Sequence, residues 1–175
     1  MKLYVIRHGQ TEYNVENRVC GIVDVPLNSK GLNQAYLTKE KLKNIDVDYI
    51  FSSPLKRAKT TATIINEAFN LEIKIDNRIQ EINFGIFEGV KNNETFKKYK
   101  RQNASRYPEG ESLFQVVQRV YNFLDELENK YPDKTILIVC HGGIVRVIHS
   151  YFNDMTNDEL MTWLPENCSI QQYQK

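Results

Sequence analysis

Three short runs of the chain are apolar at every position rather than at every second one: Leu3-Tyr4-Val5-Ile6, Tyr49-Ile50-Phe51 and Ile136-Leu137-Ile138-Val139. A strand with one wet face alternates, whereas a strand covered on both faces does not. The runs therefore predict buried strands of a largely parallel sheet, whose crossovers need room for helices. The residues between them supply those helices. Ser29 stands as the cap of a helix running to about Lys43, with Leu32, Ala35 and Tyr36 on one face. Ser53-Pro54 reads as a cap followed by proline at the first helical position, with Ala58, Thr61, Ala62 and Ile65 turned inward. Ser112 and Gln115 make a capping box ahead of an amphipathic helix bearing Leu113, Val116, Val117, Val120, Leu124 and Leu127. Ile144, Val145, Ile148 and Phe152 repeat the helical spacing after the last strand. The order is strand, helix, strand, helix, a mostly helical middle, then strand and helix. It predicts a three-layer α/β fold, a mostly parallel central sheet with helices on both faces. The tail Ser169–Tyr173 reads as an added edge strand.

Length and composition narrow the class. The 175 residues are 41% hydrophobic and 26% charged, enough for a core and too apolar for disorder. No repeat or Pro/Gly/Ser-rich linker interrupts them, so 1–175 reads as one domain. Lys and Arg number 23 and Asp and Glu 22, a net charge of +1. That argues against a polycation coating nucleic acid or a membrane. Cys20, Cys140 and Cys168 are widely spaced; no disulfide framework follows, and a reducing, cytoplasmic setting fits. The apolar start ends at Arg7, too soon for a signal peptide, and no run nears the ~18 residues of a membrane span. His8, His141 and His149 offer no short ligand pair, so no metal is expected. His149 reads as structural.

The chemistry gathers at strand ends. One strand ends in Arg7-His8-Gly9 and another in His141-Gly142-Gly143. In open α/β sheets ligands bind outside the carboxyl ends of strands, so His8 and His141 are placed to converge. Gly142-Gly143 also begins a helix, whose free N–H groups favour an anion. The strand ending near Ser52-Ser53 feeds a helix carrying Arg57. Two imidazoles, two guanidiniums and helix-terminal amides suit a phosphate.

These residues carry a resemblance. Arg7-His8-Gly9-Gln10-Thr11-Glu12-Tyr13-Asn14 resembles the RHGxTxxN signature of the histidine phosphatase superfamily, in its phosphoglycerate mutase-like branch. In the family's order follow Gly21 to Leu27 (GxxDxPL), Ser53 to Thr61 (SxLxRAxxT), Glu81 with Phe84-Gly85 and Glu88-Gly89 (ExxxGxxEG), and Pro108 to Ser112. The last is similar to PGGES, with Glu109 replacing a glycine. Small bacterial phosphatases, of the α-ribazole and broad-specificity kinds, look most similar.

The resemblance implies a histidine acid phosphatase-type phosphomonoesterase, metal-independent and without a cofactor. Its substrate would be a small phosphorylated metabolite. His8 would attack phosphorus and become a phosphohistidine. Arg7, Arg57 and His141 would hold the phosphoryl oxygens. Glu81 would protonate the leaving oxygen and then activate water; Glu88 is the competing carboxylate. Asn14 would help bind the phosphoryl group, against the alternative of capping a short helix. Gly21 would form a pocket wall and Gly142 a backbone donor, against the alternative of simple turns. The stretch from Glu81 to Pro108 looks short for a mutase insertion, which favours a phosphatase over a phosphoglycerate mutase-like phosphotransferase. A phosphate-binding interaction module is the third reading. Residues 91–106 carry Lys91, Lys97, Lys98, Lys100, Arg101 and Arg106 against Glu94 alone. They read either as a basic lid over the substrate or as a solvated helix face.

Overall fold

The apolar runs become the middle of one five-stranded sheet in a computed structural model, which describes residues 1–174. Its strands are β1 (Lys2–Arg7), β2 (Tyr49–Ser52), β3 (Ile73–Ile75), β4 (Thr135–Cys140) and β5 (Ile170–Gln174). Their spatial order is β3-β2-β4-β1-β5. β1, β4, β2 and β3 run parallel, and β5 closes the β1 edge antiparallel, as expected of the tail.

The pleat sorts the apolar side chains into two cores. Leu3, Val5, Phe51, Ile136 and Ile138 face one side. There they meet α5 (Leu113–Lys130) and α6 (Gly142–Phe152) through residues such as Val120, Phe123, Leu124, Val145 and Ile148. Tyr4, Ile6, Ile50, Leu137 and Val139 face the other side. They pack with Leu42 of α2 (Ser29–Leu42) and with Ala58, Ala62 and Ile65 of α3 (Lys56–Asn66). The three layers follow directly from strands that are apolar at every position.

Several local expectations are corrected. Asn28, not Ser29, caps α2 by accepting from the Gly31 N–H at 2.8 Å. The buried stripe of α2 is Gly31, Ala35, Thr38 and Leu42, while Leu32 and Tyr36 are exposed. Gly31 lies against the Gln10 backbone, and only a stripe of small residues permits that approach. α3 starts at Lys56 with Leu55 as an N-cap that makes no side-chain bond. Ser53 is used elsewhere, as described below.

The middle is helical in its second half, where α5 lies, and largely irregular before it: residues 67–112 hold the short edge strand β3, two 3-10 turns (Asn77–Ile79 and Gly85–Phe87) and one short helix. In chain order the short helices are α1 (Glu12–Val15), α4 (Glu94–Lys100) and α7 (Asn157–Thr162). Aromatic packing substitutes for regular structure here: the Phe84 ring lies 5.3 Å from Phe96 and 5.0 Å from Tyr107, both edge-on.

Candidate active site

Strand register brings the histidines together. Arg7 pairs with Cys140, and the His8 N–H continues the ladder to the Cys140 carbonyl at 2.9 Å. Ser53 extends β2 in the same way, donating to the Val139 carbonyl at 3.0 Å. His8, His141 and Ser53 thus stand side by side at the carboxyl ends of three strands. The His8 and His141 rings are 5.2 Å apart, and both are buried.

The hydrogen bonds assign the protons. His8 Nδ1 lies 2.7 Å from the Gly9 carbonyl, which can only accept. Nδ1 therefore carries the hydrogen and Nε2 presents a lone pair. Arg57 Nε donates to that Nε2 at 3.3 Å. Ser53 Oγ accepts from the Leu55 N–H at 3.3 Å and lies 2.6 Å from His141 Nε2. The hydroxyl proton has His141 Nε2 as its acceptor, so His141 carries its hydrogen on Nδ1. That Nδ1 is buried without a protein partner, and so is Arg7 Nε. Leaving such donors unmatched costs about 1–3 kcal/mol each, and a ligand oxygen would answer both. Burial, then the Arg57 and Arg7 charges, lower the His8 pKa well below the usual histidine value. Burial, then Arg57, His8 and Arg7, do the same to His141.

Arg57, in the first turn of α3, is fully buried and held by backbone. It donates to the carbonyls of Val23 (2.8 Å) and Gly21 (2.6 Å). The loop offering those carbonyls is anchored in turn by Glu88, whose carboxylate accepts from the N–H groups of Gly21, Ile22, Val23 and Phe84. Glu88 is thus a structural brace and not a cavity group. Gly21 belongs to the same brace; both its backbone polar groups are used within the protein, and it is not part of the cavity wall.

A cavity of about 400 Å³ opens beside His8. Arg7, His8, Asn14, Glu81 and Gly142 line it. Glu81 is buried, its Oε2 accepting from the Gly143 N–H at 3.0 Å and its Oε1 from the Ile82 N–H at 3.0 Å. A Cβ at Gly143 would come within 2.5 Å of Glu81 Oε1, so a larger residue here would push that carboxylate out of place. Arg119, paired with Glu111 at 2.8 Å, donates to the Glu81 carbonyl at 3.3 Å and fixes its segment. Asn14 is the capping partner: its Oδ1 accepts from the Thr11 N–H at 3.0 Å and completes the Thr11 capping box, and the residue also lines the cavity.

Among the described residues, no three His, Cys, Asp or Glu side chains are grouped to hold a metal ion. Cys20 lines the cavity, but burial raises its thiol pKa to about 11. Sequence reasoning gave Ser53 only a capping role and Lys100 only a place among six basic residues of a lid or solvated face, and it gave no site role to Asn167 or Arg146. Ser53 shared a strand end with the histidines, a signal outweighed by its cap-like Ser-Pro context. Asn167 donates to the His8 carbonyl at 2.9 Å, and nothing local in the sequence marks it. Arg146 sits four residues after Gly142, hence on the same face of α6. Lys100 was hidden among its basic neighbours.

The histidine phosphatase superfamily (branch 1) family model matches residues 3–174. The chain is 38% identical over 144 residues to the uncharacterized phosphatase PhoE of Bacillus subtilis, covering 82% of this chain and 73% of that protein. It is 34% identical over 151 residues to a probable phosphoglycerate mutase, GpmB, of Escherichia coli, covering 81% and 70%. A solved structure of mycobacterial glucosyl-3-phosphoglycerate phosphatase Rv2419c with VO3 superposes with a TM-score of 0.87 at 28% identity, covering 98% and 91%. The strand ends, the paired histidines and these likenesses agree: the chain belongs to the histidine phosphatase superfamily.

Proposed function

We propose that residues 1–175 form one catalytic domain, a metal-independent phosphomonoester hydrolase acting on a small phosphorylated metabolite through a phosphohistidine at His8. The observation that carries this is the His8 Nε2 lone pair. It is fixed by the Nδ1 bond to Gly9 and kept neutral by burial and cationic neighbours, and the two orphaned donors, Arg7 Nε and His141 Nδ1, belong to residues at the same strand ends. Only a neutral imidazole attacks.

In the first step His8 Nε2 forms a bond to phosphorus as the bond to the alkoxy oxygen breaks. Glu81 gives its proton to that oxygen. Arg57 Nε–H, displaced from Nε2, turns to a phosphoryl oxygen, joined by Arg7 Nε–H, His141 Nδ1–H and Asn14 Nδ2. These donors stabilise the charge that builds on the transferring group. In the second step a water oxygen attacks phosphorus, Glu81 takes a water proton, and the N–P bond breaks. Inorganic phosphate leaves and His8 is neutral again. Gly142, at the helix start, adds a backbone donor.

Phosphate release from p-nitrophenyl phosphate in EDTA, with acid-labile label on His8, is the expected result. No turnover, with phosphate still bound, would leave a non-catalytic phosphate-binding module. The likeness to GpmB favours a second reading, a phosphotransferase. Interconversion of 2- and 3-phosphoglycerate without phosphate release would support it. Against it stands the modest cover over the cavity, a single seven-residue helix between Glu81 and Pro108.

No helix among the described residues is long and apolar enough to cross a membrane. The three free cysteines support a cytoplasmic setting, and the near-neutral charge gives nucleic acid no footing.

A further inference from the structure

One peptide unit ties the nucleophile to α2, a helix that takes no part in the cavity wall. The carbonyl that accepts from His8 Nδ1 belongs to Gly9, and the N–H of that same planar peptide belongs to Gln10. That N–H donates to Gln34 Oε1 of α2 at 2.9 Å. An amide N–H can only donate, so Gln34 must turn its oxygen, not its nitrogen, toward it. The two bonds leave the peptide from its opposite edges. They make a line from Gln34 through Gly9-Gln10 to the ring of His8.

The surroundings hold α2 against this peptide. Gly31 and Gln34, three residues apart, share one face of the helix. A Cβ at Gly31 would collide with the Gln10 carbonyl oxygen, and one at Gly9 with the carbonyl oxygen of Gly31, so the two backbones touch. Asn28, the cap of α2, donates from its N–H to the Gln10 carbonyl at 3.0 Å and from Nδ2 to Gln10 Oε1 at 3.1 Å. The preceding peptide is clasped by α3, the Gly9 N–H donating to Thr61 Oγ1 at 3.1 Å. Of these contacts, the Gln34 bond is made to the very peptide whose carbonyl His8 uses. A carbonyl accepts more strongly when the N–H of its own peptide is hydrogen-bonded. As Nε2 bonds to phosphorus the imidazole gains positive charge, and its Nδ1–H then draws harder on the Gly9 carbonyl.

We propose that Gln34 is a positioning residue for His8: through the Gly9-Gln10 peptide it fixes the carbonyl that holds Nδ1–H, and so sets the aim of Nε2 and the stability of the charged ring. This rests on the phosphohistidine reading of His8. Arg57 Nε can only donate to Nε2, so the ring keeps its tautomer without Gln34. What Gln34 governs is the strength of the Nδ1–H bond. If it merely satisfied a loop N–H, its loss would lower stability and leave His8 unchanged.

Gln34→Met keeps the length of the side chain and removes the acceptor; Gln34→Glu keeps the acceptor. Proton NMR of the resting enzyme reads the His8 Nδ1–H resonance, and kcat/KM for p-nitrophenyl phosphate reads attack by His8. In Gln34→Met the resonance should move upfield and exchange faster with water. There kcat/KM should fall about tenfold, while the Kd of inorganic phosphate stays within about twofold. Gln34→Glu should restore most of both readouts. Leu42→Ala, a core truncation at the far end of α2, should lower Tm and leave both alone. An unmoved resonance or an unchanged kcat/KM in Gln34→Met would overturn the proposal. So would a phosphate Kd weakened as much as kcat/KM, the same changes in Leu42→Ala, or no recovery in Gln34→Glu. A shifted resonance in Gln34→Met, with no turnover by the wild type, would sink the hydrolase reading and keep the positioning role.

Discussion

The two walls of the cavity are built differently. On the strand-end wall, His8, Ser53 and His141 continue β1, β2 and β4, and hydrogen bonds to Gly9, Leu55 and one another fix their side chains, with His141 Nδ1 and Arg7 Nε left open. On the opposite wall, Lys100 comes from a short helix in an irregular segment, its charge opposed by that of Arg146, and both feel the Glu81 carboxylate. The strand-end wall inherits its precision from the sheet ladder, which cannot shift by one residue without turning its core outward. The other wall hangs on aromatic contacts and can change its side chains at little cost to the sheet. The proposed chemistry therefore sits where the backbone is most constrained, and the wall facing it where the backbone is least so.

Removing the nucleophile should give the largest loss. His8→Ala is expected to lower turnover by at least about 10⁴-fold with circular dichroism unchanged. Activity near wild type would dissolve the distinction between the walls. Trapped phosphoryl label should be acid-labile and base-stable; label on serine or cysteine would count equally against it.

Glu81→Gln comes next, with an expected loss of about 10²–10⁴-fold for alkyl phosphates and a smaller one for p-nitrophenyl phosphate. A good leaving group needs little proton help. Equal losses on both substrates would make Glu81 a binding residue, and Glu88 could not replace it because four backbone donors occupy it.

Ser53→Ala should lower kcat about ten- to a hundredfold with KM little changed. The His141 ring would lose the bond that keeps its hydrogen on Nδ1. Nitrogen NMR should show His141 as the Nδ1–H tautomer in the wild type and as a mixture in the variant, with Ser53→Thr restoring it. An unaltered His141 signal in Ser53→Ala would refute the assignment.

The strand-end wall should also govern acid stability. His8 and His141 have depressed pKa values in the fold, while the unfolded chain titrates near the ordinary ~6.5. Below that pH the unfolded state takes up protons the folded state refuses. Stability is therefore complete above about 6.5 and falls as pH drops toward the folded values. Tm measured from pH 7.5 to 5 should decline, with a shallower slope in His8→Ala. Lys100→Met should leave the slope alone.

The smallest effect sharpens the far wall. Changing Lys97, Lys98 and Arg101 together to Gln should alter KM for 3-phosphoglycerate less than about twofold at physiological salt. A larger rise would favour the basic lid over the solvated helix face.

The layers were legible because apolar runs and helical stripes are local patterns with fixed periods. Leu3–Ile6 and Ile136–Val139 are short runs apolar at every position, as strands covered on both faces are. The convergence of His8 with His141 was legible for the same reason, since parallel strands of one sheet end together. Beyond that convergence, the sequence could not supply which distant side chains touch. Ser53 has the local look of a cap, and only its distance from His141 makes it a proton donor. Glu81 and Glu88 are both plausible acids until the backbone donors around Glu88 are seen. Leu32 and Tyr36 are apolar enough for a core, yet the approach of Gly31 to Gln10 turned α2 to bury its small residues instead. Among six basic residues of one segment, burial singled out Lys100. Periodicity is written into neighbouring residues, whereas partner, burial and charge environment are set by whatever the fold brings near, and that the tertiary structure alone decided.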